Sequence, residues 1–141
     1  MRKILIGLLL AAFLAPAIAA ELSVSHAWIR FLPGKLPLAG YVQVTNQGKK
    51  PVTLVAASSP AFGTVQFHRS VNRDGMDRMI HLKSLKIAAG QTLKFAPGGY
   101  HLMLMGRKRA LKPGQHVAIT VKFADGTSQT IDFVVKGVTG Q

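Results

Sequence analysis

Imidazole and thioether are the metal-binding groups that this sequence offers. The imidazoles are His26, His68, His81, His101 and His116; beyond the initiator, the thioethers are Met76, Met79, Met103 and Met105; there is no cysteine. A mixed imidazole and thioether site favours Cu(I) over zinc, calcium or magnesium, because neutral, polarisable sulfur suits a soft closed-shell cation. Thioether sulfur has no proton to lose, and disulfide formation in an oxidising compartment cannot consume it. The missing thiolate excludes a blue-copper site, an iron–sulfur cluster, a thiolate zinc site, thioredoxin chemistry and lipid attachment through cysteine. The acids are Glu21, Asp74, Asp77, Asp125 and Asp132. They are too few for a carboxylate-rich calcium or magnesium cage, and a glycosidase-like acid pair has no support.

Strands must position these groups, since no long segment has helical period. Short β-branched and aromatic runs fall at 22–30, 39–46, 52–57, 64–68, 78–82, 92–95, 100–105, 116–123 and 130–135. Turn residues separate them, among them Asn46-Gln47-Gly48, Asp74-Gly75, Pro97-Gly98-Gly99 and Asp125-Gly126. A chain of 141 residues, 48% hydrophobic, suffices for one domain with a core. The expectation is all-β: a single Greek-key β-sandwich or flattened barrel. Alternate residues of a strand share a face. Tyr100, Leu102 and Leu104 therefore point one way, and His101, Met103 and Met105 the other. Val65 and Phe67 face the core, while Gln66 and His68 face away from it. The Asp74-Gly75 turn allows a hairpin that brings Met79 back toward His68.

Ten residues separate His68 from Met79, twenty-one separate Met79 from His101, and one separates His101 from Met103. This His-x10-Met-x21-His-x-Met spacing resembles that of the periplasmic copper chaperones of the PCuAC family. Ala27-Trp28-Ile29-Arg30, Tyr41-Val42-Gln43-Val44-Thr45-Asn46 and Pro97-Gly98-Gly99-Tyr100-His101-Leu102-Met103-Leu104-Met105 are similar to that family as well. The resemblance covers about residues 22–135. It implies a cupredoxin-like β-barrel with a two-His, two-Met Cu(I) site near the surface, made by His68, Met79, His101 and Met103. It also implies delivery of copper toward cytochrome c oxidase assembly, particularly the CuA centre of subunit II. An oxidase subunit or a Sco-type thiol protein would then be the acceptor or donor. There are departures. Many members have a Met directly after the first His, where this chain has Arg69, and the usual acidic residue nearby is missing. The chain ends Gly137-Val138-Thr139-Gly140-Gln141, without a His- and Met-rich extension, so a second site for Cu(II) is not expected.

Taken singly, a His is most often a hydrogen-bonded structural or surface group, and a Met is core filler. The joint spacing sets His68, Met79, His101 and Met103 apart. Met76 and Met105 read as lining or packing, and His26, His81 and His116 keep their structural reading.

Arg2 and Lys3 precede an apolar run over 4–15, and Ala17-Ile18-Ala19 has the small-x-small pattern of a cleavage site. Residues 1–19 read as a secretory signal peptide, cut after Ala19 or Ala20, leaving 20–141 as a periplasmic copper-binding domain. The rival reading, an uncleaved anchor, has a 17-residue apolar stretch over 4–20 but no basic stop-transfer flank. The whole chain carries 18 basic and 5 acidic residues; losing Arg2 and Lys3 leaves 16 basic ones and a net charge of +11. Such a protein attracts anions in general, and export makes nucleic acid a poor candidate. Arg107-Lys108-Arg109 and Lys112 are either a solvated loop or a docking rim for an acidic partner.

Three readings compete. The expected one is a monomeric copper carrier, not an enzyme, with no nucleic-acid partner and no stable membrane insertion after cleavage. Copper buffering or tolerance would use the same residues. A copper redox enzyme lacks the usual ligands, and a metal-free basic anion-binding module would make His68 and Met103 dispensable. Acid should loosen a bound metal through the histidines alone, below about pH 6.5.

Overall fold

Alternating apolar and polar residues fold into ten strands, in a computed structural model that describes residues 22–141; no helix occurs among those residues. The strands are β1 (Leu22–Arg30), β2 (Leu38–Asn46), β3 (Val52–Ser58), β4 (Phe62–Arg73), β5 (Met76–Leu82), β6 (Leu85–Ile87), β7 (Thr92–Phe95), β8 (Tyr100–Arg107), β9 (His116–Phe123) and β10 (Ser128–Lys136). The signal segment expected at 1–19 lies outside the described residues.

The sheet order is β5-β4-β8-β7-β2-β1-β10-β9-β3-β6, and β2 also pairs with β8 through Leu38–Gly40. A pairing of Ala57 with Val65 joins β3 to β4 and closes the sheet on itself. Eight strands thus form the barrel, while β5 and β6 end the strand order as edge strands, β6 adding Leu85 and Ile87 to the core. The pairs β1–β10 and β7–β8 are parallel; the others are antiparallel. The all-β, cupredoxin-like barrel expected from the sequence is the fold observed.

The inward residues make one apolar core, with Ile29, Leu38, Ile87, Leu102, Ile119 and Phe133 almost wholly removed from water. Asn46 is equally buried and stays polar because every hydrogen-bonding group of its amide is used. Its Nδ2 donates to Lys50 O at 2.7 Å and to Ile87 O at 3.1 Å, and its Oδ1 accepts from Gly48 N at 3.0 Å. The side chain therefore ties the β2–β3 turn to β6.

Two details of the fold govern the outer face of β4 and β8. At Gly40 the strands β2 and β8 come close: a Cβ there would meet Leu102 Cβ at 3.3 Å and the Phe133 ring at 3.6 Å. That approach seats β8, and with it His101 and Met103. At the β4–β5 turn, Asp74 and Gly75 have φ of 54° and 76°, and Arg73 pairs with Met76. Two consecutive positive φ values suit a two-residue hairpin turn whose twist matches the strands. Because the ladder runs right up to this turn, β4 and β5 extend beyond the expected 64–68 and 78–82. The three-residue β6, absent from the expected strands, is too short to show any period.

Candidate metal centre

The outer faces of β5, β4, β8, β2 and β1 form one continuous strip. Register fixes its order. His68 on β4 stands opposite His101 on β8 and opposite His81 on β5. Gln66 stands opposite Met103, Met103 opposite Ala39, and Ser70 opposite Met79. Residues paired across an antiparallel ladder project to the same side, so the side chains at 66, 68, 70, 79, 81, 101 and 103 share one face. The neighbouring Val65, Phe67, Leu102 and Leu104 fill the core behind it.

The imidazoles of His68 and His101 are neighbours, with ring centroids 5.6 Å apart. His101 is only 4% exposed, and His68 is half-buried. Hydrogen bonds settle which nitrogen of each ring is left over. His68 Nε2 donates to Gln66 Oε1 at 2.9 Å, which leaves Nδ1 with the lone pair. His101 Nδ1 faces Gly99 O at 3.5 Å, a long contact that favours the proton on Nδ1 and the lone pair on Nε2. Both leftover atoms, His68 Nδ1 and His101 Nε2, are buried and have no hydrogen-bond partner. An unmet buried polar atom costs about 1–3 kcal/mol, so two of them side by side need a reason, and a metal bound at neutral imidazole supplies one. A ligating His ordinarily turns its other nitrogen to a carbonyl or carboxylate, as both rings do here.

Burial depresses the pKa of both rings below the usual histidine value. For His68 the positive charges of protonated His101 and His81 depress it further; for His101 the Gly99 carbonyl partly opposes the effect. Both imidazoles are thus held in the neutral form that can ligate.

The thioethers lie beside them. Met79, His101 and Met103 line one open groove, whose far side is Arg30, Leu36, Pro37 and Tyr41. Met103 is half-buried under the β1–β2 connection, whereas Met79 is 62% exposed on the edge strand β5. The structure therefore brings His68, Met79, His101 and Met103 onto a single face, with one sulfur seated and one free to move. Among the described residues, no group of three or more His, Cys, Asp or Glu is arranged to hold a metal ion. Any metal here must draw on sulfur or on side-chain rearrangement.

The remaining residues separate cleanly. Arg69 lies on the opposite side of β4 from His68, with its guanidinium 5.3 Å from the Tyr100 ring centroid. Met76 is exposed at the hairpin tip, and Met105 continues the strip opposite Thr64. His26 pairs with Ser25 Oγ at 3.2 Å, and His116 Nδ1 meets Asp132 Oδ2 at 2.6 Å. Neither lines the groove that holds Met79, His101 and Met103. Arg107 is no free docking cation: its Nη2 donates to Leu32 O at 2.9 Å and its guanidinium lies 5.7 Å from the Phe31 ring centroid. It braces the β1–β2 connection over Met103, while Lys108, Arg109 and Lys112 are exposed. His81, which no spacing singled out, sits against His68 with ring centroids 5.5 Å apart. The sequence held its signal: a two-residue turn at 74 and 75 places residue 81 opposite residue 68 and residue 79 opposite residue 70.

A closed β-barrel carrying this His and Met strip on its outer face is a domain of the PCuAC type. The chain belongs to the LpqE-like family, whose sequence model matches residues 22–135. It is 37% identical over 123 residues to the "Putative lipoprotein Lxx21020" of Leifsonia xyli subsp. xyli, covering 86% of this chain and 74% of that one. Among solved structures, the copper-bound PCuAC domain from PmoF2 matches with a TM-score of 0.70 at 24% identity, over 86% of this chain and 97% of that one, a likeness of fold. The solution structure of CuI-DR1885 from Deinococcus radiodurans matches with a TM-score of 0.65 at 30% identity, over 85% of this chain and 79% of that one.

Proposed function

We propose that this protein is an exported copper chaperone that carries one Cu(I) on His68, Met79, His101 and Met103. The observation that carries the reading is the pair of buried, partnerless nitrogens, His68 Nδ1 and His101 Nε2, beside two thioethers. Two neutral nitrogens and two neutral sulfurs make a soft set that adds no charge of its own and suits Cu(I). The Cu(I) of CuI-DR1885, a structure 30% identical to this chain, supports copper as the metal.

The geometry also supports transfer. His68, His101 and Met103 lie on strands of the closed barrel, but Met79 lies on an edge strand that, among the described residues, is paired only with β4. Exchange of Met79 for an incoming thiolate or thioether therefore disturbs no core contact. The proposed recipient is a copper centre of cytochrome c oxidase under assembly, the CuA centre foremost, reached directly or with a Sco-type protein. The protein acts as a carrier rather than an enzyme. Residues 1–19 are the proposed export signal and 20–141 the mature periplasmic domain; the lipoprotein name of the Leifsonia relative supports export.

The test is a transfer assay. The metal-free protein is loaded with Cu(I), its ligands are counted by X-ray absorption, and it is mixed with a metal-free CuA domain while copper is tracked on each partner. Two nitrogens, two sulfurs and net transfer are expected. A stoichiometry of two, or a first shell without sulfur, overturns the assignment; retention of copper in the presence of the acceptor overturns the delivery role.

A further inference from the structure

We propose that His81 is an additional metal ligand, and that with His68 and His101 it gives the same strip a second, three-imidazole way of holding a cation, suited to Cu(II). The inference rests on the copper-carrier reading for its setting but on different atoms for its content.

Three neighbouring strands present one imidazole each at the same level. His68 is the middle member; His101 flanks it on β8 and His81 on β5, as register partners on either side. The ring centroids are 5.6 Å and 5.5 Å from the central one. The middle ring carries its lone pair on Nδ1, buried and unpartnered, and the His101 ring carries one on Nε2. His81 is exposed, on a strand whose other edge has no neighbour among the described residues. The rings stand in a row rather than around a common point. Closure then falls to His81, whose side chain turns inward over His68 without moving any core residue.

The chemistry of such a set differs from that of the thioether set. Imidazole is a borderline donor that serves Cu(II) and Zn(II), whereas thioether serves Cu(I) and adds little to a divalent ion. Copper(II) stands highest among the divalent ions in the usual affinity order, so it is the cation that three imidazoles and a water would favour. Met79 and His81 lie two residues apart on the same side of β5. One edge strand thus offers a soft donor beside Ser70 and a borderline donor beside His68. A protein that meets copper in either charge state then retains it on His68 and His101, with only the outer donors exchanged. No electron transfer within the protein is involved.

The experiment uses the full metal-free protein, its His81→Gln variant and its His116→Gln variant. Each is titrated with Cu(II) alone and followed by electron paramagnetic resonance, counting nitrogens from their hyperfine coupling; each is titrated separately with Cu(I) against a competing chelator. Three coupled nitrogens are expected in the unaltered protein and two in His81→Gln. Cu(II) affinity should fall about tenfold, and Cu(I) affinity should stay within about threefold, on a scale where tenfold is about 1.4 kcal/mol. Circular dichroism checks that the exposed substitution leaves the fold intact. An unchanged nitrogen count and affinity in His81→Gln overturns the inference while leaving the Cu(I) site standing. Loss of the Cu(II) signal in His116→Gln also overturns it, because the ion then sits on the His116–Asp132 pair. Cu(II) held on three nitrogens by a protein that fails to take Cu(I) supports this inference and overturns the chaperone reading instead.

Discussion

His68 and Gln66, two residues apart on β4, are joined by a 2.9 Å hydrogen bond from the imidazole Nε2 to the amide Oε1. The bond fixes the ring's tautomer and leaves Nδ1 buried with its lone pair. Gln66 thus orients a ligand without being one. Replacing it with Leu removes the acceptor, keeps the bulk, and frees the ring to turn. Loss of such an outer partner ordinarily costs about 10–100-fold in metal affinity. A Cu(I) competition titration of Gln66→Leu should show a loss in that range, and nitrogen-15 spectra should show mixed His68 tautomers. A single tautomer with unchanged affinity would mean that packing alone holds the ring.

Met103 is half-buried and apolar enough to be mere filler, and Met103→Leu separates the two roles. Leu roughly conserves volume, so a packing role tolerates it at a cost under about 1.5 kcal/mol. The expected result is a thermal melt close to that of the parent together with clearly weaker Cu(I) binding. Equal copper affinity would return Met103 to the core.

Depressed histidine pKa values make the metal-free barrel sensitive to acid. The folded pKa values of His68 and His101 lie below the unfolded value of about 6.5. Above that value both states hold neutral rings, and the two sites contribute nothing to the pH dependence. Below it the unfolded chain takes up protons that the folded one refuses, so stability falls as pH drops, until the folded values are reached. Chemical denaturation at pH 7 and pH 5 should show the loss, and its size should shrink in His101→Gln. The same depression moves proton competition with copper to lower pH than the ordinary histidine value implies. Proton resonances of His68 and His101 that titrate at or above 6.5 in the metal-free protein would contradict this.

The edge strand β5 flanks the closed ring without being part of it, so damage to the β4–β5 turn should leave the barrel intact. Gly75 sits at φ 76°, a conformation costly for a β-branched residue. In Gly75→Val the turn should lose its geometry and Met79 its place opposite Ser70. The expected outcome is weaker Cu(I) binding, amide exchange accelerated in 76–82, and protection unchanged in β9 and β10. A global loss of protection would show that the hairpin is integral to the barrel.

The sequence by itself determined the strand class, the inward residues and the donor chemistry. Period-two alternation is a local property, so Leu102 and Leu104 declare one face of β8, and His101 and Met103 the other. The absence of cysteine restricts the soft donors to thioether and imidazole, and the spacing from His68 to Met103 carries the family resemblance. What the tertiary structure alone decided is which strands are neighbours. β4 lies between β8 and β5, and β8 also touches β2, so His68 meets His101, and Met103 and Met79 face one groove. These contacts join residues tens of positions apart, and they arise from closing the barrel over a shared core rather than from any local preference. The same closure buries His101, strips partners from His68 Nδ1 and His101 Nε2, and ties Arg107 to Leu32. His81 lies between the two cases. Turn arithmetic places it opposite His68, but only the position of β8 on the far side makes it one of three imidazoles in a row.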